Sequence, residues 1–227
     1  MASSSTPGPA LDDLVFTHEL RRHGGGEPDQ VALEQWVTRA HRLPHVDLNA
    51  PDTGDELAGA ETVAEAICYG LDPMLAAMLD VNPFVAADAH SGDAQTYYTA
   101  LFKPDGEPRD ELCEATELWP SSALALHRVW VAPGLRGRGL AGVIAGEALL
   151  TLARAYAVCA CYPAADRDDI AGGAITQAGL ERLVARWGFT PLHEGVWICD
   201  LALADPLERL AAARTRRPHP PPARDLT

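Results

Sequence analysis

The chain has 227 residues, of which 47% are apolar and 22% are charged, and its formal net charge is −14 at pH 7. These values are typical of a globular protein that buries a core, and no apolar run approaches the roughly 18 residues that a membrane-spanning helix needs. The first residues have neither a basic region nor an apolar core, which argues against a secretory signal, so we expect a cytoplasmic protein.

The charge is unevenly distributed along the chain. Residues 1–122 contain 22 acidic and 6 basic side chains, whereas residues 123–227 contain 10 and 12. Because an acidic surface repels polyanions, we expect no nucleic-acid partner and no membrane surface as partner. The acidic half favours a cationic substrate, although acids that only keep the surface solvated would give the same pattern.

Hydrophobic periodicity predicts a mixed α/β chain. In chain order it indicates a strand at Leu14–Arg22, a helix at Pro28–Leu43, a strand at Glu61–Gly70, a short helix at Asp72–Asp80, a strand at Ala123–Val131, a helix at Leu140–Tyr156, a strand at Ala157–Tyr162, a helix at Ala174–Trp187 and a last strand at Gly195–Leu203. The segment Ala94–Phe102 fits a helix or a strand. The group Asp88, His90, Ser91 and Asp93 before it is typical of a helix cap or a loop beside a substrate.

The two ends of the chain differ in composition from its middle. Residues 1–11 are rich in Ser and Pro, and we expect them to be a disordered flank. Residues 12–204 are predicted to form one domain. Residues 205–227 are expected to form a short helix followed by a disordered basic tail.

The five cysteines carry no recognisable chemistry. None forms a C-x-x-C pair and no neighbouring histidines complete a ligand set, so we expect reduced thiols and no metal. Cys159 and Cys161 are two residues apart, which places them on one face of a strand. The five are Cys68, Cys113, Cys159, Cys161 and Cys199.

A glycine-rich loop, Leu135–Gly142 ("LRGRGLAG"), fits two anion-binding patterns. It contains G-x-G-x-x-G, the spacing of a dinucleotide-binding turn, and R-x-x-G-x-A, a pyrophosphate-binding signature. Both patterns place a diphosphate on the unpaired amides at the start of a helix, where the helix dipole adds to the attraction.

The dinucleotide interpretation fits less well. It needs a strand that runs nearly into the first glycine, but five residues separate Val131 from Gly137. The chain that follows is too short for further βαβ units, and Asp166, at about the ribose-binding distance, is predicted to lie in a loop after Pro163. An NAD(P)-dependent oxidoreductase is therefore the weaker alternative.

The other pattern extends beyond the loop. "VWVAPGLRGRGLAG", Val129–Gly142, is followed after a helix by "RWGF", Arg186–Phe189, ahead of a final strand. In this order of elements the chain resembles the GNAT superfamily of N-acetyltransferases over residues 123–203. The resemblance implies a mainly antiparallel sheet that splays between the strands at 123–131 and 157–162, with helices on both faces.

The resemblance also implies a ligand and its site. Acetyl-CoA would donate an acyl group to a small amine or a basic peptide. The loop would hold the CoA pyrophosphate, and the preceding strand would pair with the pantetheine arm. The implied cofactor-binding residues are Val129, Trp130, Val131, Arg136, Gly137, Arg138, Gly139, Leu140, Ala141 and Gly142.

Two residues are candidates for the general base that such a transfer needs. His127 is predicted to share a strand face with Val129 and Val131, and some GNAT members have a histidine at this position. Glu117, just before the strand, is the second candidate. The tyrosine that often serves as general acid in the GNAT family is replaced here by Val184, and Tyr162 is a substitute candidate that no motif supports.

The missing acid keeps a second class of function open, a CoA-binding module without catalysis. The residues do not indicate the acceptor, the acyl chain length or the oligomeric state.

Overall fold

The computed structural model describes residues 14–21, 33–42, 59–164 and 176–215, with the side chains of residues 89 and 90 left aside. The predicted flank at 1–11 and the end of the predicted tail lie outside these ranges. Asp166 of the dinucleotide interpretation also lies outside them.

A seven-stranded mixed sheet runs through the described chain and confirms the mixed α/β class. Its spatial order is β1-β2-β3-β4-β5-β7-β6. Neighbouring strands are antiparallel except β4 and β5, which are parallel. The strands are β1 Leu14–Arg21, β2 Leu33–Arg42, β3 Glu61–Leu71, β4 Ala123–Val131, β5 Val158–Cys161, β6 Thr190–Pro191 and β7 Trp197–Asp200.

Seven α-helices accompany the sheet within the described ranges. They are α1 Pro73–Met78, α2 Pro83–His90, α3 Gly92–Leu101, α4 Asp110–Ala115, α5 Leu140–Leu152, α6 Gln177–Arg186 and α7 Ala204–Arg214. Side-chain caps explain several starts: Asp72 caps α1 as its Asp-Pro pair predicts, and Asn82 caps α2 in the same way. Ser91 accepts a hydrogen bond from the Ala94 N–H, which makes the ambiguous segment a helix.

The prediction of a helix at Pro28–Leu43 was wrong, because its described part is strand β2. Leu33, Trp36 and Val37 have helical spacing, but β2 lies between β1 and β3 and both of its faces are covered. A strand that is buried on both faces loses its simple alternation, and its apolar residues then imitate a helix.

Two hydrophobic cores lie on opposite faces of the sheet. One contains the inward side chains of α5, α6 and α7, and the other contains those of α2, α3 and α4. Cys159 and Cys161 belong to the first core, and Val158 and Ala160 between them belong to the second, which confirms that the two thiols share a face. Burial raises the pKa of Cys159, so this thiol stays protonated.

Helix α7 packs closely on α5 through two glycines. A Cβ at Gly146 would lie 2.7 Å from the Leu210 carbonyl oxygen, and one at Gly142 would lie 3.5 Å from Ala213 Cβ. Leu210 is fully buried, so the core extends past residue 204, where we expected the domain to close.

A buried carboxylate on α5 joins the first and last described elements. Glu147 Oε1 lies 3.5 Å from His18 Nε2 in β1, and Glu147 Oε2 lies 2.6 Å from Arg214 Nε in α7. Two partners thus surround a carboxylate that would be destabilising if it were buried alone.

We predict that Gly146→Leu lowers the free energy of unfolding by about 1–3 kcal/mol, because the new side chain meets the backbone of α7 rather than a movable group. Urea unfolding measures this change. Gly92→Ala is the control, since its Cβ would have no neighbour within 4 Å. Equal stability of the Gly146 variant and wild type would contradict the packing.

Candidate functional site

The parallel strands β4 and β5 separate part of the way along β4. They pair from Ala123 with Val158 to Leu126 with Cys161, where β5 ends. Strand β4 continues from His127 to Val131, and no other described strand lies beside this part of it on that side. We call the opening between His127–Val131 and the end of β5 the fork.

A β-bulge lies at the point of separation. Ile67 of β3 is opposite Arg128, but its neighbour Cys68 is opposite Leu126, so His127 is the extra residue. The bulge shifts the alternation of side chains by one position. Val129 and Val131 therefore pack in the α5 core, whereas His127 lies on the opposite face against Tyr69. The prediction that His127 shares their face was wrong for this reason.

His127 is held between an aromatic ring and a carboxylate. Its ring stacks on Tyr69 with centroids 5.0 Å apart, and its Nε2 lies 3.8 Å from Asp93 Oδ2 on α3. Burial lowers the pKa of His127, with a smaller lowering from the Arg128 charge, while Asp93 opposes both. The imidazole is therefore mostly neutral near pH 7 and can accept a proton.

The free edge of β4 offers backbone groups of alternate residues. The Ala132 N–H donates to the Val63 carbonyl, which makes Val131 and Ala64 a pair without mutual hydrogen bonds. The N–H and C=O groups of Val131 and Val129 thus point into the fork. Those of Trp130 point to Glu65 in β3, so Trp130 cannot join a backbone ladder in the fork as we expected.

The loop that follows β4 bends through two glycines. Gly137 has φ +75° and Gly139 has φ +89°, a left-handed conformation that disfavours a side chain. The Arg136 Nε donates a hydrogen bond of 3.1 Å to the Val131 carbonyl. Arg136, expected as a phosphate ligand, thus also braces the loop against the strand edge.

Helix α5 begins without a side-chain cap. Its N-cap is Gly139, and no described residue accepts a hydrogen bond from the backbone N–H groups of Gly137 to Ala141. The Arg138 side chain makes no ion pair with a described residue and lies at this same turn. These amides and this guanidinium form a group of donors suited to an anion.

Gly142, the third glycine of the motif, does not lie among the open amides where we expected it. The Gly142 N–H donates to the Gly139 carbonyl, and Gly142 is buried with Trp187 Nε1 only 3.2 Å from its missing Cβ. Gly142 therefore serves helix packing. Leu140 is also buried, so only its backbone N–H can take part in the site, and Ala141 is half-buried beside it.

Glu117 is not brought to His127. Its side chain is exposed and its N–H donates to Asp200 Oδ2, at the end of the sheet where β4 begins. Leu126, at the fork, is three residues along β4 from Ala123, or roughly 10 Å from this end. Glu117 and the fork thus lie at different ends of the β4–β5 pair.

The position of the missing tyrosine is closed to solvent. Val184 is buried in the α5 core, so no side chain there replaces the acid. Tyr162 directly follows β5, is 46% exposed and packs its ring over Gly195. Its side chain therefore places a hydroxyl next to the end of β5.

The other features of the described residues lie apart from the fork and the loop. No three His, Cys, Asp or Glu side chains in the described ranges lie close enough to hold a metal ion. No described helix is both long and apolar enough to cross a bilayer. A cavity of about 180 Å³ between α3 and the β6–β7 turn is lined by Gln95, Thr96, Thr99, Ala100, Glu194 and Val196, none of which belongs to the fork or the loop.

Comparison of the chain with protein-family models, with curated proteins and with solved structures finds no match.

We predict that the pKa of His127 is below its usual value of about 6.5 and that two exposed neighbours move it in opposite directions. Asp93→Asn removes a charge that raises this pKa and should lower it further. Arg128→Gln removes a charge that lowers it and should raise it. NMR titration of the His127 ring measures both shifts, and shifts of the same sign would contradict the arrangement.

Proposed function

We propose that the protein is an acyl-CoA-dependent N-acyltransferase of the GNAT type, with acetyl-CoA as the donor. The observation that carries the proposal is the fork, a parallel strand pair that separates directly before an uncapped helix start. The separation leaves backbone groups that can pair with the amides of an extended ligand. The helix start supplies amides for an anion at one end of the same edge.

The loop fits the diphosphate part of such a ligand. Five consecutive N–H groups from Gly137 to Ala141 have no acceptor among the described residues, and Arg138 adds a positive charge. Left-handed glycines leave the backbone open, since a Cβ at Gly137 or Gly139 would have no neighbour within 4 Å. A diphosphate can therefore approach the amides closely.

The strand edge fits the extended part of the ligand. Val129 N–H and C=O and Val131 N–H point into the fork, while Arg136 occupies the Val131 carbonyl. His127 lies four residues before Val131, or roughly 13 Å along the strand. The loop and His127 are thus at opposite ends of one extended edge, as a long donor with a distant reactive thioester requires.

His127 is suited to remove a proton from the attacking amine. A lysine-like amine has a pKa near 10.4, so at pH 7 only about one molecule in a thousand is neutral. Acetyl-CoA supplies an activated thioester, and the amine must lose its proton to attack it. The neutral, half-buried imidazole can accept that proton, and Asp93, 3.8 Å from Nε2, stabilises the imidazolium that forms.

Asp93 favours a cationic acceptor. Its carboxylate is exposed beside His127, and the first half of the chain is strongly acidic. A negative charge at the mouth of the fork attracts an ammonium group toward the base. The acceptor class that fits best is a primary amine, on a small molecule or a basic peptide.

A second candidate is a CoA-binding module without catalysis. The burial of Val184 favours it, because the fork then lacks the tyrosine that often returns a proton to the thiolate. An NAD(P)-dependent oxidoreductase has less support, since only one pair of described strands is parallel and a doubly wound sheet needs several.

We predict that CoA and acetyl-CoA stabilise the protein and that NAD and NADP do not. A ligand at 100 times its Kd stabilises the native state by about 2.7 kcal/mol, which corresponds to a rise in Tm of roughly 5–10 °C for a chain of this size. Gly139→Glu should abolish the rise, because it places a carboxylate among the donor amides. A thermal-shift plate with the four ligands measures this.

Gly134→Glu is the matched control. It adds the same charge to the same loop, where a Cβ would have open space as at Gly139, but Gly134 has no left-handed φ. This variant should keep the CoA response. The left-handed backbone at Gly139 also costs about 1–2 kcal/mol of stability when substituted. An undiminished CoA response in Gly139→Glu would mean that the ligand binds elsewhere.

We predict that His127→Ala lowers kcat by at least about 100-fold, since a general base contributes that much or more. The rise in Tm with CoA should stay unchanged. In wild type, kcat/KM should fall as the pH drops through the pKa of His127, which burial places below the usual value of about 6.5. Thiol release from acetyl-CoA with a panel of amines measures turnover.

His193→Gln is the control for this variant, because His193 lies in the turn before β7 and bonds to the Ala100 carbonyl outside the fork. Unchanged turnover of His127→Ala at every pH would remove this residue as the base. Tight CoA binding by wild type without turnover of any amine would favour the non-catalytic module.

A further inference from the structure

The hydroxyl of Tyr97 lies where β4 and β5 separate. Tyr97 belongs to α3, yet its hydroxyl donates a hydrogen bond of 3.3 Å to the Leu126 carbonyl of β4. The same oxygen accepts a hydrogen bond of 3.2 Å from the backbone N–H of Tyr162, the residue after β5. One side chain from a helix thus bridges the two strands at the end of their pairing.

The bridge replaces one hydrogen bond of the parallel ladder. Leu126 and Cys161 are the last register pair, and in a parallel ladder the next bond would run from the Tyr162 N–H to the Leu126 C=O. Both groups instead bond to one phenolic oxygen. Pro163, which follows, has no N–H and cannot continue the ladder. The hydroxyl therefore keeps two groups apart that would otherwise meet.

The inserted hydroxyl is well suited to hold this place. Tyr97 is 3% exposed, and burial raises the pKa of its hydroxyl, which therefore stays protonated and able to donate. The Ser91 side chain caps the start of α3, and the side of α3 that carries the Tyr97 ring is buried against the sheet. Asp93 lies one helical turn before Tyr97, so α3 also places the carboxylate that faces His127.

We propose that Tyr97 is a positioning residue that sets the width of the fork. Its hydroxyl separates the strands just before His127 and so keeps the edge from Val129 to Val131 accessible to an extended ligand. The place of the hydroxyl between the two strands rests on its hydrogen bonds, whereas its effect on CoA rests on the proposed function.

The test is Tyr97→Phe, which removes only the bridging oxygen. Without it the buried Leu126 C=O and the partly buried Tyr162 N–H lose their shared partner, and this drives the strands to pair directly. We expect a crystal structure of the ligand-free variant to show the Tyr162 nitrogen about 2.9 Å from the Leu126 oxygen. We expect the Kd for CoA, measured by calorimetry, to rise at least tenfold.

Tyr98→Phe is the matched control. It removes the neighbouring hydroxyl of the same buried helix face, which lies near Asp72 and not at the fork. This variant should keep the CoA affinity of wild type. An equal loss of affinity in both variants would overturn the proposal, because it would show only a general effect of the helix.

Two other results would overturn it. One is a Tyr97→Phe structure in which the Tyr162–Leu126 separation equals that of wild type. The other is direct pairing of the strands with unchanged CoA affinity, which would leave the proposed function intact. If wild type binds no CoA and the strands still close in the variant, the proposed function fails while the role of Tyr97 in the strand separation stands.

A measurement on wild type covers the case in which Tyr97→Phe does not fold. The Tyr97 hydroxyl proton, which is donated to the Leu126 carbonyl while the same oxygen accepts the Tyr162 amide proton, should exchange slowly with solvent and show an NMR contact to that amide proton. Absence of that contact in a folded sample would overturn the proposal.

Discussion

The parting of β4 from β5 determines what this molecule exposes. Inside a sheet every backbone group has a partner, and a strand that loses its neighbour halfway must find other partners for its N–H and C=O groups. Here β4 loses its neighbour after Leu126 and still runs on to Val131. The Val131 carbonyl accepts a hydrogen bond from Arg136, and the Val129 N–H and C=O and the Val131 N–H face the fork. The loop and the start of α5 directly follow this edge in the chain. The backbone donors of β4 and those of the loop are therefore neighbours.

The glycines of the loop serve two separate purposes. Gly137 and Gly139 allow a left-handed turn that opens the amides, whereas Gly142 and Gly146 allow α7 to approach α5. The first two glycines thus expose the amides at the start of α5, and the next two allow α5 to pack against α7. The same helix is therefore anchored by α7 while its first turn stays exposed.

The sequence predicted those parts of the fold that local signals determine. The strand–loop–helix–strand unit from 123 to 162 was confirmed, because apolar alternation, Gly-Pro chemistry and helical periodicity agree there. Strand β2 was missed because its helical spacing comes from burial on both faces. The orientation of His127 was wrong because one extra residue reverses every later side chain, and no local signal in the chain marks a bulge.

The candidate site was predictable only where it is continuous in sequence. The loop and the edge of β4 follow one another, so a motif could find them, although Trp130 and Gly142 have other partners. Asp93 and Tyr97 reach the fork from α3. The two partners of the Tyr97 hydroxyl lie far from it in the sequence, with separations of 29 positions for Leu126 and 65 positions for Tyr162. Such contacts depend on how α3 packs against the sheet, and a single amino-acid sequence does not reveal this packing.

The contacts of Glu147 make the two ends of the described chain depend on each other. This one carboxylate receives β1 through His18 and α7 through Arg214, so both extremities of the described chain meet beneath the helix whose first turn bears the open amides. Trimming either extremity would leave a buried negative charge short of a partner. A fusion or truncation that keeps the fork but removes His18 or Arg214 would therefore weaken the packing beneath it.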